Sequence, residues 1–193
     1  MTYAILDARE LNPAELSTLI EELYRINLKT YHFYSAKYNR PIWQPAKIER
    51  KLIDEYQKLC LWKPSGRLEH YTASSEPRRL GKGYYSKIGV SGFASDTPRA
   101  IKRYIKAGSL NFLQNNLNKT HHPLHMIVEV PVDSSIVNFY LEAGFRLCDD
   151  ERMVRGLLRL FSRVPISILK LTERVSYLTE RSNVRNYLAV RTP

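Results

Sequence analysis

Leu16, Leu19, Ile20, Leu23 and Tyr24 return at three- and four-residue intervals, which places them on one side of a helix. Its start is marked three ways: Asn12 is a good cap, Pro13 suits the first helical position, and Glu15 completes a capping-box spacing. The pattern predicts a helix that ends near Asn27, preceded by a short strand over TYAIL, Thr2 to Leu6. A second helix opens at Gln44 and Pro45, with Ile48, Leu52, Tyr56 and Leu59 on one stripe. Between the two helices, residues Thr30 to Trp43 hold Tyr31, Phe33, Tyr34, Tyr38 and Trp43. That density of rings suits a loop or short helix packed on the core, or an aromatic lid facing a substrate.

The period then changes from helical to alternating. KLCLW, the turn KPSG and RLEHYTA predict a hairpin, and YYSKIGV after SSEPRRLGKG predicts a further strand. Thr97 followed by Pro98 starts another helix, with Ile101, Tyr104, Ile105, Phe112 and Leu113 on its apolar side. HMIVEV, His125 to Val130, has the length and branching of a buried strand. Asp133 or Ser134 caps a short helix that runs through Ala143, Gly144 stops it, and FRLC begins the next strand. The predicted order is β-α-α-β-β-β-α-β-α-β, an α/β chain with a mixed, mostly antiparallel sheet flanked by helices. Residues 1–151 form the main domain, and residues 152–193 form a basic C-terminal extension that adds a strand and helices packed on it.

Composition adds limits rather than a fold. Apolar residues make up 44% and charged residues 25% of the 193, a globular balance. No apolar run approaches the roughly 20 residues that span a bilayer, and MTYAILDARE lacks a signal-peptide pattern, so a cytoplasmic protein with no membrane contact is expected. Cys60 and Cys148 lack metal-like spacing and read as small core residues of a reducing compartment. The net charge of +11 is concentrated: from Arg152 onward there are nine Lys or Arg against two Glu. A tail that basic suits either a solvated face or docking on nucleic acid or another acidic partner.

One stretch carries a family signature. In VDSSIVNFYLEAGFRL, a polar residue, an apolar one, a tyrosine and then Gly-Phe come after a strand, with Asp133, Ile136, Tyr140 and Gly144-Phe145 at those positions. This resembles the closing helix and strand of the GNAT superfamily of N-acetyltransferases, and HMIVEV resembles the strand that precedes it. The resemblance covers about residues 1–150 by element order, with 125–147 carrying the motif. It implies a GNAT-like fold in which two neighbouring strands splay apart to admit acetyl-CoA as co-substrate. It also implies transfer of an acetyl group to a primary amine acceptor, with Tyr140 protonating the departing thiolate. A general base is needed as well; Glu129, and behind it Glu69 and His70, are the titratable groups expected near the cleft.

Two stretches compete for the pyrophosphate of that co-substrate. RRLGKG, Arg78 to Gly83, matches the family's phosphate-loop pattern literally, but the next residues, GYYSKIGV, are strand-like. The alternative is SGFASDT immediately before the helix at Pro98, which keeps the element order although only Gly92 is glycine and Asp96 brings a negative charge. That second register is preferred. It implies a cofactor-binding set of Ile88, Val90, Ser91, Gly92, Phe93, Ala94, Ser95, Asp96, Thr97 and Arg99, with Lys102 and Arg103 as further phosphate contacts or a solvated face. His121, His122 and His125 of HHPLH read as a surface turn rather than a metal site.

The expected activity is therefore acetyl-CoA-dependent N-acetylation of an amine of unknown class. The alternative is an inactive protein of the same fold that docks on nucleic acid or a larger assembly through its basic C-terminal region. A homodimer is compatible with either reading.

Overall fold

The computed structural model describes residues 3–30, 42–95, 97–117, 124–131, 135–147, 151–161 and 186–191. Strand β1 (Ala4–Asp7) leads through a single 3-10 turn (Ala8–Glu10) into helix α1 (Pro13–Thr30). The predicted capping box is present: the Glu15 amide donates to Asn12 Oδ1 and the Asn12 amide to Glu15 Oε2, both at 3.0 Å. Helix α2 (Pro45–Asp54) buries Ile48 and Leu52 and then stops. Tyr56 and Leu59, expected on the same stripe, therefore lie beyond the helix, Leu59 in strand β2 (Lys58–Trp62). The aromatic segment is outside the described residues from 31 to 41.

Strands β3 (His70–Ser74), β4 (Arg78–Leu80) and β5 (Gly83–Phe93) come next, then helix α3 (Pro98–Leu117), strand β6 (Leu124–Pro131), helix α4 (Ser135–Glu142) and strand β7 (Arg146–Leu147). Helix α5 (Glu151–Phe161) and strand β8 (Asn186–Arg191) are the last described elements. The predicted order is present, with β4, α5 and β8 in addition.

The eight described strands join one mixed sheet in the order β1-β2-β3-β5-β6-β8-β7, with β4 paired to β5. The β5–β6 pair is parallel and the other pairs are antiparallel. Strand β8 lies between β6 and β7, so the C-terminal residues expected as an extension supply an inner strand of the same sheet.

Alternation along the strands makes two cores. Cys60, Trp62, Ile88, Met126 and Val128 face α3 and α4, where Ile101, Tyr104, Ile105, Phe139 and Tyr140 meet them. On the other face Leu59, Leu61, Tyr71 and Ala73 pack against Leu19, Leu23, Ile48 and Leu52 of α1 and α2. Helix α5 covers that second face over Tyr85 and Ile127 through Leu157. Fully burying each such aliphatic side chain contributes about 1.5–3 kcal/mol, so both layers are anchored to the sheet.

Candidate active site

The sheet opens at one place. Strands β5 and β6 pair from Tyr84↔Leu124 to Ile88↔Val128, and no further. Above that point β5 stays paired to β3 as far as His70↔Phe93, while β6 stays paired to β8 as far as Pro131↔Asn186. The two parallel strands thus remain strands but part from one another, leaving Gly89–Phe93 and Glu129–Pro131 facing a gap. Such edges offer unpaired N–H and C=O groups to an amide-bearing ligand.

The cause of the parting is legible in the register. Ala73 pairs with Val90 and Ser74 with Ile88, so Gly89 is the extra residue of a bulge, which bends and twists β5. A side chain at 89 would meet the Tyr56 ring, its Cβ lying 2.2 Å from Tyr56 Cζ. Glycine inside a strand-like run is the sequence signal for such a kink.

Tyr140 is held at this opening by the end of its own helix. Gly144 adopts φ +94°, its amide donates to the Leu141 carbonyl at 3.0 Å, and the Phe145 amide donates to the Tyr140 carbonyl at 3.0 Å. That pair of bonds is a Schellman motif with Tyr140 three residues from the helix end. Phe145 completes it by packing edge-on against the Tyr140 ring, centroids 5.0 Å apart. The Tyr-Gly-Phe signature is therefore one mechanical unit: glycine supplies the left-handed turn and phenylalanine clamps the tyrosine. Burial pushes the ionisation of the Tyr140 hydroxyl up to about 12, against a smaller opposite effect of Ser91 on β5, so it stays protonated at neutral pH.

The other side of the gap leads to the start of α3. Ser91, Gly92 and Phe93, expected in a loop, are the last residues of β5, so the connection to α3 is shorter than SGFASDT. Gly92 is demanded by packing, because a Cβ there would lie 2.3 Å from Tyr71 Cε1 and 2.6 Å from Ile26 Cγ2. The Ala94 amide is committed to the Glu69 carbonyl at 2.8 Å, and the Ser95 hydroxyl accepts from the Thr97 amide at 3.3 Å. Among the described residues, the first-turn amides of α3 and the exposed Arg99 are available as anion donors here. Lys102 pairs with Glu142 at 2.7 Å, and Arg103 lies over the Trp62 and Tyr104 rings. Asp96 is outside the described residues.

RRLGKG holds no helix start. Arg78–Leu80 is β4, Gly81 turns at φ +60°, and Gly83 opens β5 opposite Leu80. Arg78 serves the fold instead, since its guanidinium donates to the Leu160 carbonyl at 2.6 Å and lies over Phe161, capping the C-terminal end of α5.

The expected bases separate. Glu129 sits in the part of β6 that has left β5, opposite Leu188 of β8; its side chain is outside the described residues. Glu69 accepts from the Tyr104 hydroxyl at 3.2 Å. His70 is fully buried and burial pulls its imidazole down to about 3, so it cannot take a proton from an amine at neutral pH. His125 stacks on Tyr85 at 4.7 Å, and His121, His122 and Cys148 are outside the described residues. Among the described residues no group of three His, Cys, Asp or Glu is placed to hold a metal, and no described helix is long and apolar enough to cross a membrane.

A sheet splayed between two parallel strands, with a helix starting beyond one of them and a tyrosine-bearing helix after the other, defines a class. The chain has the fold of the GNAT N-acetyltransferases. Ard1 from Thermoplasma volcanium superposes with a TM-score of 0.55 at 15% identity, covering 100% of this chain and 98% of that one. The ribosomal-protein-S18-alanine N-acetyltransferase from Escherichia coli gives 0.54 at 10% identity, with 99% and 94% covered. PaiA N-acetyltransferase from Thermoplasma acidophilum, solved in complex with coenzyme A, gives 0.54 at 10% identity and covers 100% of both chains. No protein-family model and no curated protein sequence matches the chain.

Proposed function

We propose that the protein is an N-acyltransferase that takes an acetyl group from acetyl-CoA to a primary amine. The observation that carries the reading is Tyr140, clamped by Gly144 and Phe145 and buried in the same cluster as Ile88 and Val128, where β5 and β6 part. The edges at Gly89–Phe93 and beyond Val128, unpaired with one another, suit the amides of a pantetheine arm, and the α3 amides with Arg99 suit its phosphates. Acetyl-CoA supplies an acyl carbon activated as a thioester and a thiol leaving group.

Tyr140 holds its proton at neutral pH and is the acid for the leaving sulfur. Glu129, in the parted stretch of β6, is the carboxylate we assign to accept the proton that the attacking amine loses. A longer reach for phosphate is not needed from the loop, whose Ala94 amide already serves the sheet. The basic C-terminal region suits docking on nucleic acid or another acidic partner as part of this proposal.

Calorimetric titration with acetyl-CoA tests the reading, with an expected affinity in the micromolar range, on the order of −7 to −8 kcal/mol. Tyr140→Phe retains that affinity while thiol release with a panel of amines and peptide N-termini falls about 100-fold or more. Absence of binding by acetyl-CoA and by longer acyl-CoAs would leave the fold to a binding protein without turnover. Steeply salt-dependent binding to RNA or DNA would then identify its partner.

A further inference from the structure

A cavity of about 530 Å³ opens at the end of the β5–β6 pair opposite the gap. Its walls follow from the sequence. The β4–β5 hairpin turns on Gly81 and Lys82, and of Gly81, Lys82 and Gly83 only the lysine carries a side chain, so the hairpin tip is nearly bare backbone. Farther from the tip the hairpin is pinned to α5: a Cβ at Gly156 would lie 3.0 Å from Leu80 Cδ2, and Arg78 donates to the Leu160 carbonyl. The helix is thus held close at its middle and end, while Arg152 and Met153 of its first turn stand across the cavity from the bare tip.

Tyr85 and His125, partners in the β5–β6 register, make the floor, their rings stacked 4.7 Å apart. Only glycine at 83 lets the tip lie against that floor, since a Cβ there would be 3.0 Å from His125 Nε2. His125 Nδ1 is sealed from solvent and has no hydrogen-bond partner among the described residues, and burial lowers the proton affinity of the ring, so it is neutral at pH 7. Among the described lining residues the charge therefore comes from Lys82 and Arg152, both exposed, and none is acidic. Leu80, Tyr85 and Met153 supply apolar surface around them. That volume, and an apolar lining with few polar groups, are those of small-molecule sites, which hold roughly 300–1,000 Å³.

We infer that this cavity is a second binding site, for a small acid with one phosphate or carboxylate group on a compact apolar body. The acid group meets Lys82 and the guanidinium of Arg152, and the body rests on Leu80, Tyr85 and Met153. The site is separate from the cleft. Along β5 it lies about 13 Å of extended strand from Gly89, and it is on the face covered by α5, whereas Tyr140 is buried on the other. It shares no residue with the acyltransferase site and does not rest on that reading.

Phenyl phosphate and benzoate are the probes, one for each kind of acid, with phenol and inorganic phosphate as controls for the body and the charge alone. NMR titrations follow the imidazole signals of His125 and the amide signals of Lys82 and Gly83. At least one acid is expected to shift them saturably, with a dissociation constant of about 1 mM or tighter and about tenfold tighter than either control. The better of the two tells which acid group the site takes. Lys82→Glu, at an exposed turn position, is expected to weaken binding about tenfold, and Lys82→Arg to keep it within about twofold. No shift with either acid, a control that binds as well as the acids, or full affinity in Lys82→Glu would each overturn the site. Displacement of the acid by acetyl-CoA would overturn its separation from the cleft. A protein that binds the acid but no acyl-CoA keeps this site and loses the activity proposed above, so the two failures are distinguishable.

Discussion

Gly92 offers the sharpest test of whether this site is understood, because two different physical causes call for the same residue. A glycine beside a ligand permits close approach of the ligand, whereas a glycine under a side chain permits packing. In this protein the space is taken from within: Tyr71 is 1% exposed with its hydroxyl tied to Asn27 at 2.5 Å, and Ile26 is 4% exposed on α1. A methyl group at 92 would sit 2.3 Å and 2.6 Å from those two side chains, far inside contact distance. Neither neighbour is the free end of a flexible chain, so β5 and α1 must separate. Overpacking of this kind costs about 1–3 kcal/mol, and two immobile neighbours put Gly92→Ala at the upper end, about 3 kcal/mol. For a chain of this size that lowers the melting temperature by roughly 6–12 °C. Calorimetric melts without ligand measure it, and Tyr71→Leu combined with Gly92→Ala should cost less than the two changes summed, because the leucine removes the clashing Cε1. A Gly92→Ala protein that melts with the wild type yet loses acetyl-CoA affinity would refute the packing argument and return Gly92 to the ligand.

Gly144→Ala forces a left-handed φ of +94° on a residue with a Cβ, which costs about 1–2 kcal/mol; loosened anchoring of Tyr140 should also reduce kcat more than acetyl-CoA affinity, and Gly144→Asn should be milder in both. Asp7, whose side chain is 4% exposed, binds Arg9 at 2.6 Å and Lys58 at 2.8 Å, and the hydrogen bond from Arg9 leads the causes holding its carboxyl far below the ordinary range. Asp7→Asn should cost on the order of 2 kcal/mol, less than a fully buried pair because Arg9 is half exposed and Glu76 still serves both cations. Because the folded-state value is depressed, Asp7 stabilises at neutral pH. The difference between wild type and variant should then shrink as pH falls below about 4, as followed by denaturant melts at several pH values.

Much of the local structure is written in short stretches. Asn12 with Glu15 starts α1, Thr97 with Pro98 starts α3, and Gly144 with Phe145 ends α4; each involves hydrogen bonds or sterics within five residues. The same locality explains why RRLGKG is ambiguous on its own. Two glycines two apart describe a tight turn and a phosphate loop equally well, and the strand-like GYYSKIGV after it decides for the turn. The end of β5 was legible only in part, since Ser91, Gly92 and Phe93 look like a loop until β3 is laid beside them.

By itself, the sequence determines where α1, α2 and α3 begin, where α4 stops, which runs alternate, and which tyrosine sits before a Gly-Phe helix stop. Those are properties of neighbours in the chain, settled by propensity, capping and left-handed turns. Only the tertiary structure decides that β8 enters between β6 and β7, that the bulge at Gly89 parts β5 from β6, and that Arg78 caps α5 instead of gripping phosphate. It alone brings Tyr3, His70, Thr72 and Ser91 into one line of polar contacts. The reason is register: which residues face one another across strands depends on packing both faces of the sheet at once, and no short stretch contains that information.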